Sequence, residues 1–338
     1  MAHPGDPVRL RIGVIGLGYF GGRHARVFAD HPAADLIAVA DIDGARVAEL
    51  ASATGATGCG SVRELLAQPG LQAVSICLPD RLHEEAALAA AEAGKAILLE
   101  KPLAHDAAAA RRIVEAVERN GVRLMVGHIL RFDPRYVQVH EAADPARLGE
   151  PIHIRAKRNG IRSTAPRLGA ASSILFYMGV HDVDAMQWIG RCRIARVYAR
   201  KREVLGTGNE DALYAVLEFE NGAIGSLDYS WAWPDGLMNG FRSAFEIVGT
   251  RTAAALDVSD QGLYFTDDAA TTGGDTHLWP EINGRIGGGL ADELDHFLKA
   301  TLSGAPYLQH YREACDAIPV LDALAESARS GQPVDVRR

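Results

Sequence analysis

The chain has 338 residues, 48% hydrophobic and 23% charged, the composition of a soluble globular protein long enough for two domains. A formal net charge of −8 repels phosphate backbones and argues against nucleic acid as a partner. Cys59, Cys77, Cys192 and Cys315 are scattered with no C-x-x-C pair, so neither a metal site nor a disulfide framework is indicated and a cytoplasmic setting is expected. No apolar run approaches the ~18–20 residues that span a membrane, and the N-terminal stretch lacks the apolar core of a secretory signal, so no membrane partner is expected.

Residues 10–128 alternate short apolar runs with amphipathic segments. "LRIGVIG" reads as a strand, 21–30 as a helix, "DLIAVAD" (35–41) as the second strand and "ARVAELASAT" as the next helix. "AVSICLP" (73–79) is a strand and "HEEAALAAAEAG" a helix ending at Gly94. "AILLEKP" is a strand stopped by Pro102, "DAAAARRIVEAVERNG" a helix closed by glycine, and "VRLMVGH" the last strand. Strands that are continuous apolar runs belong to sheets covered on both faces, so this rhythm predicts a doubly wound parallel sheet, the Rossmann architecture, over residues 1–128.

Beyond residue 150 the pattern changes. Residues 151–159, 193–204, 211–233, 243–258 and 262–267 read as longer strands, with "ENG" at 220–222 as a hairpin turn. One helix is predicted at 179–190 and two near 291–303 and 312–329. The glycine-rich stretch 271–289 reads as a surface loop. The expectation for 129–338 is a C-terminal α/β domain on an open, mostly antiparallel sheet, serving substrate binding and oligomerisation.

"GVIGLGYFGGRHARVF" holds glycines at 16, 18 and 21 in the order G-x-G-x-x-G, after a strand and opening a helix. Gly16 permits the tight turn, Gly18 a close backbone approach to a pyrophosphate, and Gly21 close helix–strand packing. The helix N-terminus offers free N–H groups to that anion. Gly16, Gly18, Tyr19, Phe20 and Gly21 are therefore candidate cofactor contacts. Asp41 ends the second strand, where a carboxylate accepts ribose hydroxyls and repels a 2′-phosphate. No Arg or Lys follows it until Arg46, so NAD is favoured over NADP.

"LLEKPLA" (98–104) ends an apolar strand in Glu-Lys-Pro. Carboxyl ends of strands face the ligand crevice in a doubly wound sheet, which brings Lys101 to the site, and an X-Pro bond at Pro102 can be cis. Here the chain resembles the Gfo/Idh/MocA family of oxidoreductases, over nearly its whole length. The first βα turn, "ICLPDRLHEEAALAAAEAGKAILLEKPLA", "MVGHILRFDP", "MGVHDVDAMQWIG" and the closing "ADELDHFLKATLSG" and "SARSGQPVDV" follow in the family's order. The resemblance implies a bound nicotinamide cofactor and oxidation of a secondary alcohol on a sugar, cyclitol or nucleotide-sugar. It implies a homodimer or homotetramer formed through the C-terminal sheet. By position it makes Lys101 the substrate-binding lysine and His181 the acid–base histidine. It adds Leu78, Pro79, Asp80, His83, Glu100 and Lys101 to the cofactor contacts. His128 reads either as a cofactor or substrate contact or as a satisfied buried histidine, and Arg131 either as the holder of a substrate phosphate or carboxylate or as a pairing group across domains.

The chemistry is self-consistent. Oxidising a carbinol needs a base of near-neutral pKa, which histidine supplies, and a cation beside the oxygen, which Lys101 supplies. One position departs from the family. Many relatives carry D-x-x-x-H, and here the first of these is Tyr177, which carries no charge at neutral pH. Tyr177 is either a proton donor or substrate contact, or an aromatic in the domain core. Asp184, at i+3 from His181, shares its helix face and could orient the ring, whereas the adjacent Asp182 points about 100° away. A metal at "HDVD" is not expected. The basic run 155–167 reads as a solvated stretch, and Trp188 as core. Two other readings stay open: an NAD-dependent glycoside hydrolase with transient C3 oxidation, and a non-catalytic dinucleotide-sensing protein.

Overall fold

The computed structural model describes residues 8–168, 172–259, 261–268 and 271–337. They form two compact units. The first comprises the described residues up to Ile129 together with Trp279–Cys315, and the second Leu130–Leu278 with the residues from Asp316 on. The first break falls beside the boundary read from sequence. The return of 279–315 to the first unit does not follow that reading, which kept everything beyond 128 in the second domain.

The first unit runs β1 (Leu10–Ile15), α1 (Tyr19–Asp30), β2 (Ala34–Ala40), α2 (Gly44–Thr54), β3 (Thr57–Cys59), α3 (Val62–Leu66), β4 (Ala73–Ile76), α4 (His83–Glu92), β5 (Ala96–Glu100), α5 (Ala107–Asn120) and β6 (Leu124–Gly127). The six strands form one parallel sheet in the order β3-β2-β1-β4-β5-β6. β4 and β6 are buried at every residue, as their unbroken apolar sequences require. Helix starts are marked by side-chain caps: Asp43 accepts the N–H of Ala45, Ser61 that of Glu64, and Asp106 that of Ala109. Gly55 and Gly121 end α2 and α5 in the left-handed conformation. α1 differs. It starts two residues earlier than the sequence predicts, and its N-cap is Gly18, with no side-chain cap.

In the second unit, α6 (Pro134–Ala142) and α7 (Pro145–Leu148) precede β7 (Pro151–Ile161) and α8 (Thr164–Leu168). A π-helical turn at Leu175–Gly179 leads into α9 (Val180–Gly190). Then come β8 (Ile194–Arg202), β9 (Ala212–Phe219), β10 (Ile224–Trp233), β11 (Phe241–Gly249) and β12 (Ala253–Asp257). With the later β17 they make a seven-stranded sheet, β12-β11-β7-β10-β9-β8-β17, parallel at β7–β10 and antiparallel elsewhere. The stretch 243–258 is thus two strands. The chain reverses at 250–252, where the Gly249 N–H donates to Thr252 O at 2.9 Å and a Cβ on Gly249 would sit 2.4 Å from Leu148 O.

This sheet is covered on one face. Leu213, Ala215, Leu217 and Phe219 of β9 are buried, while Tyr214 and Val216 are 56% and 54% exposed. α9 lies on the covered face, where a Cβ on Gly225 would press on Met186 at 3.0 Å. A small hairpin follows, β13 (Tyr264–Thr266) with β14 (Thr271–Gly273). The chain then rejoins the first unit through β15 (Glu281–Ile282), β16 (Arg285–Ile286) and α10 (Gly288–Ser303), which packs on α1 and β1. Residues 271–289 are therefore not a plain surface loop. α11 (Tyr311–Ser330) and β17 (Val334–Asp335) close the chain.

Candidate active site

The carboxyl ends of β1, β2, β4, β5 and β6 bring together most of the predicted first-unit residues, on either side of the β1–β4 switch point. After β1, Gly16 turns the chain at φ +84, its N–H donating to Ala40 O at 2.8 Å. A Cβ at Gly16 would lie 2.7 Å from Cys77 O, and one at Gly21 only 1.7 Å from Gly16 O. Gly18, by contrast, has nothing within 4 Å of where a Cβ would be. The first two glycine constraints are packing; the third leaves open space at an uncapped helix N-terminus, which is what a pyrophosphate needs. Asp41 accepts the Leu17 N–H at 2.6 Å and the Asp43 N–H at 2.9 Å, one on each carboxylate oxygen. Each oxygen retains acceptor capacity for ribose hydroxyls. Arg46, the nearest following cation in sequence, lies 3.2 Å from Asp43. The residues present fit a dinucleotide.

Tyr19 and Phe20 extend this loop with rings, and sequence reasoning missed their partner. Trp279 packs edge-on against both, at centroid distances of 6.3 and 5.2 Å. Arg23 lies over the Tyr19 ring at 3.6 Å. The signal available was a tryptophan set in a segment otherwise rich in glycine and polar residues.

After β4 come Leu78, Pro79 and Asp80, the last capping the local turn by accepting the Arg81 N–H at 2.9 Å. His83 follows in α4, 1% exposed. Its Nδ1 lies 2.8 Å from Pro102 O and its Nε2 2.8 Å from Leu78 O. The ring ties the β4 turn to the β5 turn, and its burial lowers the imidazole below its ordinary value. The resemblance placed His83 and Glu100 against the cofactor. The hydrogen bonds of both run to groups of the protein itself. Glu100 Oε1 lies 3.2 Å from His24 Nε2, and Oε2 accepts the Lys101 N–H at 3.2 Å. Burial would raise the Glu100 carboxyl, but the charges of His24, Lys101 and His83 hold it below the usual range. Lys101 itself is half-buried at the end of β5, and its bond to Pro102 is cis. His128, after β6, is 2% exposed.

In the second unit, His181 stands half-buried in the first turn of α9. The preceding π turn widens the helix just where the D-x-x-x-H spacing was read, so the interval between Tyr177 and His181 is not one regular α-helical turn. Tyr177 is 38% exposed, its ring 5.9 Å from that of the buried Trp231. It is neither a core aromatic nor fully solvated. Asp184 is buried and bidentate with Arg131, at 3.0 Å from Nε and 2.8 Å from Nη2. Arg131 is 5% exposed and also stacks on Trp188, at 5.3 Å. Its Nε and Nη2 both donate to this internal pair. Asp182 is held in the same way by Arg158, at 3.0 and 2.8 Å. The basic run 155–167 is thus partly strand and partly core. Both carboxylates beside His181 in sequence pair with arginines, and among the described residues no cluster is arranged to hold a metal.

Comparison with known proteins agrees with this architecture. Residues 10–128 match the model described as "Oxidoreductase family, NAD-binding Rossmann fold", and residues 136–255 the "GFO/IDH/MocA C-terminal domain". The chain is 30% identical to the inositol 2-dehydrogenase of Rubrobacter xylanophilus, covering 98% of this chain and 94% of that one. It is 27% identical to the scyllo-inositol 2-dehydrogenase (NAD(+)) of Bacillus subtilis, with 98% of both chains covered. Among solved structures, GenD2 from gentamicin A biosynthesis, in complex with NAD, superposes with a TM-score of 0.87 at 28% identity, over 100% of this chain and 98% of that one. The glycine turn, the strand order and these full-length similarities together establish that this chain is a member of the Gfo/Idh/MocA family of oxidoreductases, with an NAD-binding Rossmann domain at its N-terminal end.

Proposed function

We propose that the protein is an NAD-dependent dehydrogenase that oxidises a secondary alcohol of a cyclitol or sugar. The observation that carries this reading is the uncapped N-terminus of α1 beside the Asp41 carboxylate, with Lys101 at the end of a neighbouring strand of the same sheet. The full-length similarity to inositol dehydrogenases supports a cyclitol as the first substrate to try.

Gly16, Gly18 and the first turn of α1 would hold the pyrophosphate, with Asp41 on the adenosine ribose. Nicotinamide, when bound, supplies the hydride acceptor. Lys101 is read as the cation that stabilises negative charge growing on the carbinol oxygen. His181 is read as the base that takes the hydroxyl proton at a ring nitrogen, an imidazole being suited to that near neutral pH. Asp184 ties the helix that carries His181 to Arg131 through two hydrogen bonds. Tyr177, exposed at the π turn, is read as a substrate contact rather than a charge relay. The open face of the second sheet, with Tyr214, Val216 and Ile224 exposed, is read as the surface that pairs copies of the chain.

The test is NADH absorbance with purified protein, NAD and a panel of myo-inositol, scyllo-inositol, free aldoses and UDP-sugars, with NADP in parallel. Reduction of NAD by a member of the panel, with NADP at least tenfold slower, is expected. Silence across the panel with NAD bound in calorimetry overturns the reading and leaves redox-neutral glycoside cleavage or dinucleotide sensing.

A further inference from the structure

Beneath the Lys101 turn, the first unit gathers three ionisable side chains from three elements. His24 comes from α1, Glu100 from the end of β5 and Glu293 from α10. His24 and Glu293 are completely buried. His24 Nδ1 lies 2.8 Å from Ser75 Oγ, and its Nε2 lies 3.2 Å from Glu100 Oε1. Glu100 spans the gap to the site, because its other oxygen accepts the backbone N–H of Lys101 at 3.2 Å. The space behind is tight: a Cβ on Gly127 of β6 would meet Glu100 Oε1 at 3.3 Å. Glu293 approaches from α10 with both carboxyl oxygens buried and without a hydrogen-bond partner.

Charge decides how such a cluster is occupied. Two carboxylates and one imidazole in a dry interior cannot all be ionised without leaving a net charge unpaired. Burial raises the Glu293 carboxyl well above its ordinary value, and the charge of Glu100 raises it further, with His24 acting the other way. Burial alone would lower the His24 imidazole, but Cys77 and Glu100 outweigh it and hold it well above its ordinary value. The remaining groups facing the cluster are the thiol of Cys77, 3.5 Å from Ser75 Oγ, the ammonium of Lys101 and the imidazole of His83. The distribution that leaves His24 and Glu100 paired and nothing over is imidazolium, carboxylate and neutral acid.

We propose that His24 and Glu293 are positioning residues for Lys101. His24, as an imidazolium, clamps the Glu100 carboxylate. Glu293, as an uncharged acid, closes the third side of the pair. The carboxylate in turn anchors the Lys101 backbone and sets the charge that the ammonium feels. This rests on the reading of Lys101 as the reacting lysine only for its consequence in turnover, and the test needs no substrate.

The experiment uses the full chain with isotope-labelled histidine and with its five lysines carbon-13 methylated. Ring-nitrogen spectra should show His24 still protonated at both nitrogens above the pH at which an exposed histidine loses its proton. Glu100→Gln should strip that charge, and Glu293→Gln should leave it in place. The Lys101 titration should then move in opposite directions: up by about half a pH unit or more in His24→Gln, which loses a cation, and down in Glu100→Gln, which loses an anion. The other four lysines should stay where they are. A purely structural role would not produce that opposition, and if His24→Gln does not fold, the Glu100→Gln and Glu293→Gln arms still decide. A neutral His24 at pH 7.5, a His24 charge lost in Glu293→Gln, or a Lys101 titration unmoved in Glu100→Gln overturns the inference. If the spectra behave as expected while the NADH assay is silent, the positioning stands and the dehydrogenase reading falls.

Discussion

The two sheets of this protein dispose of their surfaces differently. The parallel sheet of the first unit is covered by helices on both faces, so its accessible backbone lies at the carboxyl ends of the strands, where Gly16, Asp41, Leu78, Lys101 and His128 are found. The mixed sheet of the second unit is covered on one face by α9 and leaves alternate residues of the other exposed. The first design offers an edge of backbone donors and charged tips suited to a small ligand. The second leaves a broad face of exposed side chains. They also bury charge differently: the first unit in a three-membered cluster of single contacts, the second in two bidentate arginine–carboxylate pairs.

The sharpest way to break this comparison is Lys101→Ala. If the strand ends of the first unit carry the chemistry, turnover should drop by about a thousandfold or more, with the NAD dissociation constant within about threefold of the parent. Steady-state kinetics beside calorimetry would check both halves, and persistent turnover would move the chemistry elsewhere. Next in size is Asp184→Asn, which leaves Arg131 buried with half its pair. A loss of roughly 3–5 kcal/mol in urea unfolding is expected. A cost below about 1 kcal/mol would mean that the pair is solvated in solution and that the contrast in buried charge is false.

A pH series on Glu293→Gln sharpens the same contrast. The folded parent keeps a proton on Glu293 that the unfolded chain releases above about pH 4.5, so the parent loses stability as pH rises through that value. The variant lacks this loss, and its unfolding midpoint should exceed the parent's at pH 8 while matching it near pH 4. Equal midpoints at both would show that Glu293 ionises in the folded state. Asp41→Ser should weaken NAD binding by about tenfold and narrow the preference over NADP, read by calorimetry with both cofactors. The smallest effect on folding belongs to Val216→Glu on the open face, within about 0.5 kcal/mol of the parent. The same variant should lower the mass measured by light scattering, and an unchanged mass would remove that face as the surface between copies.

Much of this was legible in the chain itself. The apolar runs of β1, β4, β5 and β6 announce a sheet covered on both sides; β9, apolar at seven of its eight positions, does not announce the face that it leaves open. The glycine turn, Asp41 and the Glu-Lys-Pro stop are local features, each tied to a strand end by a few residues of spacing. Sequence could say what these residues are and which end of the sheet they occupy, because strand direction and side-chain period follow from the backbone alone. It could not say which partner each charge takes. Arg131 and Asp184, 53 positions apart, close a buried pair that no local spacing announces. The π turn at Leu175–Gly179, the return of Trp279 to the Tyr19–Phe20 rings, and Glu293 brought behind Glu100 are of the same kind. Each depends on segments far apart in the chain meeting in a dry interior. There the energy of a charge or a ring is fixed by its neighbours, and only the fold chooses those neighbours.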